Sequence, residues 1–164
     1  MPSPTPSAAP VSSAPASAGT RQSARVDPTA DAEAMGALTE LSRIAEQDLP
    51  PELAQLVGLH VSQLNGCAYC TSLHREGALA AGHPPAKLAA LPDWPDAPGF
   101  TPAERAALAL AEQLTRPAGG AVPSSVHAEA ADLLGEGVVS RLIWTVAAVN
   151  AWNRVGIAAA APAR

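Results

Sequence analysis

The stretch DLPPELAQLVGLHVSQLNGCAYCTSLHREGALAAG, Asp48–Gly82, decides the fold. Pro50-Pro51 suits a helix start, where a missing N–H costs nothing. Leu53, Leu56, Val57, Val61 and Leu64 then recur at helical spacing. Asn65-Gly66 ends the run, since both residues tolerate a left-handed cap. A further helix is predicted from about Cys67 to Gly82, stopped by His83-Pro84-Pro85.

The same grammar extends outward. Upstream, Asp27-Pro28 is a plausible helix start, and Met35, Leu38, Leu41 and Ile44 repeat at three-residue spacing. Downstream, a short helix runs to about Leu91, followed by the Pro-rich loop LPDWPDAPGF, Leu91–Phe100. TPAE, Thr101–Glu104, reads as a capping box opening a helix to about Arg116. Pro123 opens another helix to about Leu134. A long last one runs from about Glu136 to Ala160, with Val139, Leu142, Ile143, Val146, Val149 and Trp152 apolar. No strand pattern competes, so the expected fold is all-α, with six or seven helices. Aromatic residues are only 3% of the chain against 48% hydrophobic, which suits closely packed Ala- and Leu-rich helices. Residues 1–24, almost pure Pro, Ser, Ala and Thr, read as a disordered tail ahead of one domain, 25–164. A ring-poor subunit of this size is short of core by itself, so a homo-oligomer is expected.

Composition excludes some functions. The formal net charge is −5 and Lys87 is the only lysine, so nothing offers the clustered cations that nucleic acid requires. No apolar run reaches membrane-spanning length. The opening MPSPTPSAAPVSSAPASAGT has neither a basic region nor an apolar stretch of a signal peptide. A cytoplasmic location is expected, where a cysteine pair is more often catalytic or metal-binding than structural.

The chemistry lies in Cys67, Cys70 and His74, which fall on one helical stripe. Cys67 sits where unpaired N–H groups and the helix dipole favour a thiolate. Cys70 lies one turn before His74, within reach of proton exchange. A thiol three residues away can resolve an oxidised sulfur into a disulfide. The geometry describes a peroxide-reducing dithiol. A zinc site using these three residues and His60 is the weaker reading: ligands on one straight stripe do not readily surround a tetrahedral ion, and a second ligand pair is missing. No metal or cofactor is expected. A structural disulfide is disfavoured by the compartment. Haem attachment needs His directly after the second cysteine, where Thr71 stands.

LHVSQLNGCAYCTSLHREGALAAG (Leu59–Gly82), followed by FTPAERAALALAEQLTR (Phe100–Arg116) and VNAWNRVGIA (Val149–Ala158), resembles the carboxymuconolactone decarboxylase superfamily, in particular its alkylhydroperoxidase AhpD-like branch. The resemblance implies a helical subunit that forms trimers or hexamers. It implies reduction of organic hydroperoxides, with the disulfide re-reduced by a thiol reductant protein. It places attack on Cys70, resolution on Cys67 and proton relay on His74. Helix position alone favours Cys67 as the more acidic thiol, so the two readings disagree. The family's relay glutamate stands twelve residues before the first cysteine, where this chain has Gln55. An amide can hold a water or orient His74 but cannot accept a proton as a carboxylate does. A weakly active or redox-sensing oligomer is therefore the alternative function. Lactone decarboxylation, which gives the superfamily its name, does not use a Cys-x-x-Cys pair.

Of the remaining residues, His60 is expected at a surface or interface, and His83 and His127 in solvent. Tyr69 either lines a pocket or packs. Trp94 and Phe100 should pin the Pro-rich loop. Asn150, Trp152, Asn153 and Arg154 read as helix packing and subunit contact.

Overall fold

The computed structural model describes residues 26–117 and 119–160; the expected tail, 1–24, lies outside them. Seven α-helices follow one another: α1 (Ala32–Glu46), α2 (Pro51–Asn65), α3 (Ala68–Ala80), α4 (Pro85–Ala90), α5 (Pro102–Thr115), α6 (Ser124–Leu134) and α7 (Glu136–Ala159). There is no strand among the described residues.

Central to the packing is α2, which is buried on most of its faces. Leu53, Val57 and Val61 join α5, α6 and α7 in one core, with Leu110, Ala130, Leu142 and Val146. Leu56 and Leu59 turn to a second core with Ala78, Leu88, Leu91, Trp94, Phe100 and Leu108. Full burial of each Leu contributes roughly 1.5–3 kcal/mol. The Pro-rich loop is pinned to this second core by Trp94 and Phe100. Arg105 reinforces it by donating to the carbonyls of Trp94, Pro95 and Ala97. The capping box is present: Thr101 Oγ1 accepts from Glu104 N at 3.2 Å and Thr101 N donates to Glu104 Oε2 at 2.8 Å.

Three boundaries shift. Asp27-Pro28 opens only a 3₁₀ turn, Pro28–Ala30; α1 starts after it, capped by Asp31. Ile44 is exposed and Ala45 takes the core position, because strict three-residue spacing drifts off a face that turns every 3.6 residues. Cys67 precedes α3 as its N-cap, and the helix ends at Ala80.

Asparagines of α7 fix the turn between α2 and α3. Asn65 Nδ2 donates to Asn150 Oδ1 at 2.9 Å and to Asn153 Oδ1 at 2.8 Å. Asn153 is fully buried and donates to Ser62 Oγ at 3.2 Å. Arg154 donates to Asn65 Oδ1 at 2.9 Å. The packing role read for these residues holds within the chain, and its effect is to set where the cysteine helix begins.

Candidate functional site

Gly66, at φ 71°, turns the chain out of α2. Cys67 follows with its N–H on Ser62 O at 3.1 Å and its Sγ accepting from Cys70 N at 3.3 Å. Cys67 and Cys70 are joined by a disulfide, with Cα atoms 5.3 Å apart. Both are buried, at 2% and 5% exposure. A Cβ on Gly156 of α7 would sit 3.1 Å from Cys67 Sγ and 3.3 Å from Cys70 Sγ, so only a bare backbone packs there without pressing on both sulfurs.

His74 lies one turn beyond Cys70, and Gln55 Oε1 is 3.1 Å from its Nδ1. A carbonyl oxygen only accepts, so Nδ1 carries the hydrogen. In the neutral ring Nε2 is then bare and basic. Two helix-interior glycines make this pairing possible. A Cβ on Gly58 would come within 2.7 Å of the imidazole, and one on Gly77 would collide with the Gln55 amide. Because the Nδ1 edge lies against α2, Nε2 is turned away from it. Burial pushes the His74 imidazole below its ordinary 6.5, and no anion offsets this.

A cavity of about 1070 Å³ opens beside the pair. Apolar groups of α1, α3 and α7 form most of it, among them Met35, Leu73, Val149, Trp152 and Val155. Gln55, Cys70 and His74 all border it, and Cys67 does not. Tyr69 also borders it while 73% exposed, so this ring faces the opening rather than the core.

The sequence model of the carboxymuconolactone decarboxylase family matches residues 32–113, half of the 164-residue chain. The chain belongs to the carboxymuconolactone decarboxylase family. An uncharacterised protein of Bacillus subtilis (strain 168), YdfG, is 31% identical over 104 residues, which cover 63% of this chain and 71% of that protein. The crystal structure of ATU0492 from Agrobacterium tumefaciens, a protein of unknown function described as a candidate AhpD antioxidant defence protein, has a TM-score of 0.76 at 24% identity. It covers 81% of this chain and 92% of its own. At that identity the likeness is one of fold.

In this member of the family the expected site residues fall into two pairs along α3: Cys67, its N-cap, is bonded to Cys70, and His74, in mid-helix, is paired with Gln55 of α2. Two histidine expectations are corrected. His60 is not at a surface: it is 2% exposed, with Nε2 2.8 Å from Glu112 Oε1. The stripe of α2 that carries it is closed over by α5 and Trp94, a long-range packing that helix spacing does not reveal. His83 is not solvated: it is buried and Nε2 donates to Glu52 O at 2.9 Å, closing the turn after α3 onto the start of α2. His127 is exposed, as read. Among the described residues no group of three or more His, Cys, Asp or Glu could hold a metal ion. Sequence reasoning passed over Gly58, Gly77 and Gly156. A glycine inside a helix costs about 1 kcal/mol against Ala, and three such positions were a signal of close approach. It also missed Glu46, which borders the cavity and carried no signal.

Proposed function

We propose that the protein is a thiol-dependent peroxidase acting on organic hydroperoxides. One observation carries the reading: Cys70 and His74 share the wall of a mostly apolar cavity from which Cys67 is withheld. That arrangement favours Cys70 as the attacking sulfur and Cys67 as the resolving one. The Cys70 thiolate takes the terminal oxygen of ROOH, breaking the O–O bond and becoming a sulfenic acid; the alkoxide takes a proton and leaves as ROH. The Cys67 thiol then displaces water from the sulfenic acid, giving the disulfide. Two electrons pass from the thiols to the peroxide, and a thiol reductant protein restores them. In this reading His74, through Nε2, moves the proton. No helix among the described residues is long and apolar enough to cross a membrane, and we place the reaction in the cytoplasm.

Intact-mass spectrometry of the reduced protein after one equivalent of an organic hydroperoxide tests this. Loss of two hydrogens in the wild type, and none in Cys70→Ser, is expected. An unchanged wild-type mass over minutes would overturn it. Gln55 supports a second reading, an oligomer that is oxidised once and signals that state; repeated turnover with a dithiol reductant separates the two. Lactone decarboxylation that survives a double Cys→Ser change would point instead to the superfamily's lactone chemistry. The proposed trimer or hexamer is checked by light scattering at micromolar concentration.

A further inference from the structure

The cavity holds a carboxyl that the dithiol chemistry above does not use. Glu46 ends α1, one turn beyond Ser42 and on the same face. Ser42 Oγ accepts from Trp152 Nε1 of α7 at 2.8 Å, and the Ile44 carbonyl accepts from Arg141 Nη1 at 2.9 Å. These two bonds fix the rotation of α1 so that Met35, Ser42 and Glu46 all border the same cavity as Gln55, Cys70 and His74. The Glu46 carboxyl has no hydrogen-bond or ion-pair partner among the described residues, and burial raises it above the ordinary carboxylate value. An unpartnered carboxylate in an apolar wall costs stability, so packing gives no reason for it.

Peroxide reduction needs one proton taken from the Cys70 thiol and one given to the departing alkoxide. Gln55 cannot hold a proton. His74, pushed down by burial with no anion beside it, is a poor resting place for one. Resting on the peroxidase reading, we propose that Glu46 is the proton-holding group of the site: it accepts the Cys70 proton by way of His74 Nε2 and cavity water, and returns it to the alkoxide. It acts through His74 and is thus a positioning residue, supplied by a different helix from the one that bears Gln55. A carboxyl moved toward neutrality by burial is better matched to such an exchange. The other ionisable groups around it are committed or wet. Glu76 of α3 borders the cavity but is exposed. Arg43 of its own helix is paired with Glu40, and Arg141 of α7, on the Ile44 carbonyl, lies 3.9 Å from Asp48. Glu52, at the start of α2, is exposed.

The test is the rate of alkylation of Cys70 in the reduced full-length protein, followed by peptide mass against pH, for the wild type, Glu46→Gln and Glu46→Asp. It needs no peroxide. Glu46→Gln is expected to slow the reaction at pH 7 on the order of tenfold and to erase the acidic limb of the profile, with Glu46→Asp restoring part of both. In a His74→Ala background the same change should add nothing. A Glu46→Gln profile superimposed on the wild type, with helicity intact, overturns the proposal. If the wild type resists hydroperoxide, the peroxidase reading falls, and the alkylation profile still decides the coupling of Glu46 to the thiol.

Discussion

Two histidines, His60 and His74, sit on neighbouring helices in different company. His60 of α2 is buried outright and faces Glu112, whose Oε1 also accepts from Trp94 Nε1 at 2.8 Å. His74 of α3 is partly buried and faces the neutral Gln55 and the cavity. Burial lowers both imidazoles below 6.5, and at His60 the hydrogen bond to Glu112 works against that shift. The carboxylate–histidine pair, the arrangement that motif reasoning associates with catalysis, does not border the cavity that Cys70 and His74 share. It ties α5 and the Pro-rich loop to α2. The proposed chemistry belongs to the histidine whose partner is an amide, because His74 borders the cavity together with the Cys70 sulfur.

The comparison breaks first under truncation. His74→Ala is expected to slow hydroperoxide-driven oxidation by about 10²-fold or more, the range of a lost acid–base group. His60→Ala should leave that rate unchanged and instead lower stability by roughly 1–3 kcal/mol, as Glu112 loses a buried partner. Stopped-flow oxidation and thermal unfolding on both variants give the two numbers. Equal rate losses would mean that the two histidines are coupled.

Gly58→Ala is a finer cut. Alanine favours a helix interior by about 1 kcal/mol over glycine. Here its Cβ would press on the imidazole of His74 at 2.7 Å. The expected result is a rate lowered roughly tenfold with no loss of stability, since displacing a reacting group by about 1 Å is enough. A rate kept at the wild-type level would show that His74 need not hold its pairing with Gln55 to work.

How much of this was legible can be judged from particular residues. The helices were, because Pro50-Pro51, Asn65-Gly66 and Thr101–Glu104 are local signals whose physics needs no tertiary context. The four residues expected at the site were named because Cys67, Cys70 and His74 are spaced for one helical stripe and the family motif points to Gln55; the structure pairs Cys67 with Cys70 and Gln55 with His74. His60 and His83 were misplaced for a common reason: each is buried by an element distant in sequence, α5 with Trp94 for one and the start of α2 for the other. Glu46 was invisible because an acid at a helix end reads as solvated. The bonds from Trp152 to Ser42 and from Arg141 to the Ile44 carbonyl turn it inward.

The acid sensitivity of the fold follows from the same pair. A histidine whose folded pKa is depressed stabilises the native state fully above its unfolded value near 6.5, and that contribution is lost as pH falls through the folded value. Glu46 has the opposite sign. Raised by burial, it stabilises below its unfolded value near 4.5 and loses that contribution as pH rises through the folded one. Denaturant unfolding from pH 7 to pH 5 should therefore show falling stability in the wild type. The slope should be shallower in His60→Ala, and Glu46→Gln should gain stability at pH 7.

The smallest expected effect sharpens the comparison most. Gln55→Glu gives His74 the kind of partner that His60 already has. The side chains are nearly isosteric, and Gly77 leaves the space that the Gln55 amide fills. A carboxylate there would stabilise the imidazolium and raise the pH at which His74 gives up its proton. If Glu46 already holds the proton, the gain in oxidation rate should be only about two- to fivefold, well below a full acid–base contribution. In a Glu46→Gln background the same change should recover most of the lost rate, because one carboxylate then replaces the other on the same histidine. A large gain in the wild type and none in the Glu46→Gln background would place the proton elsewhere. The two histidines would then differ in surroundings alone.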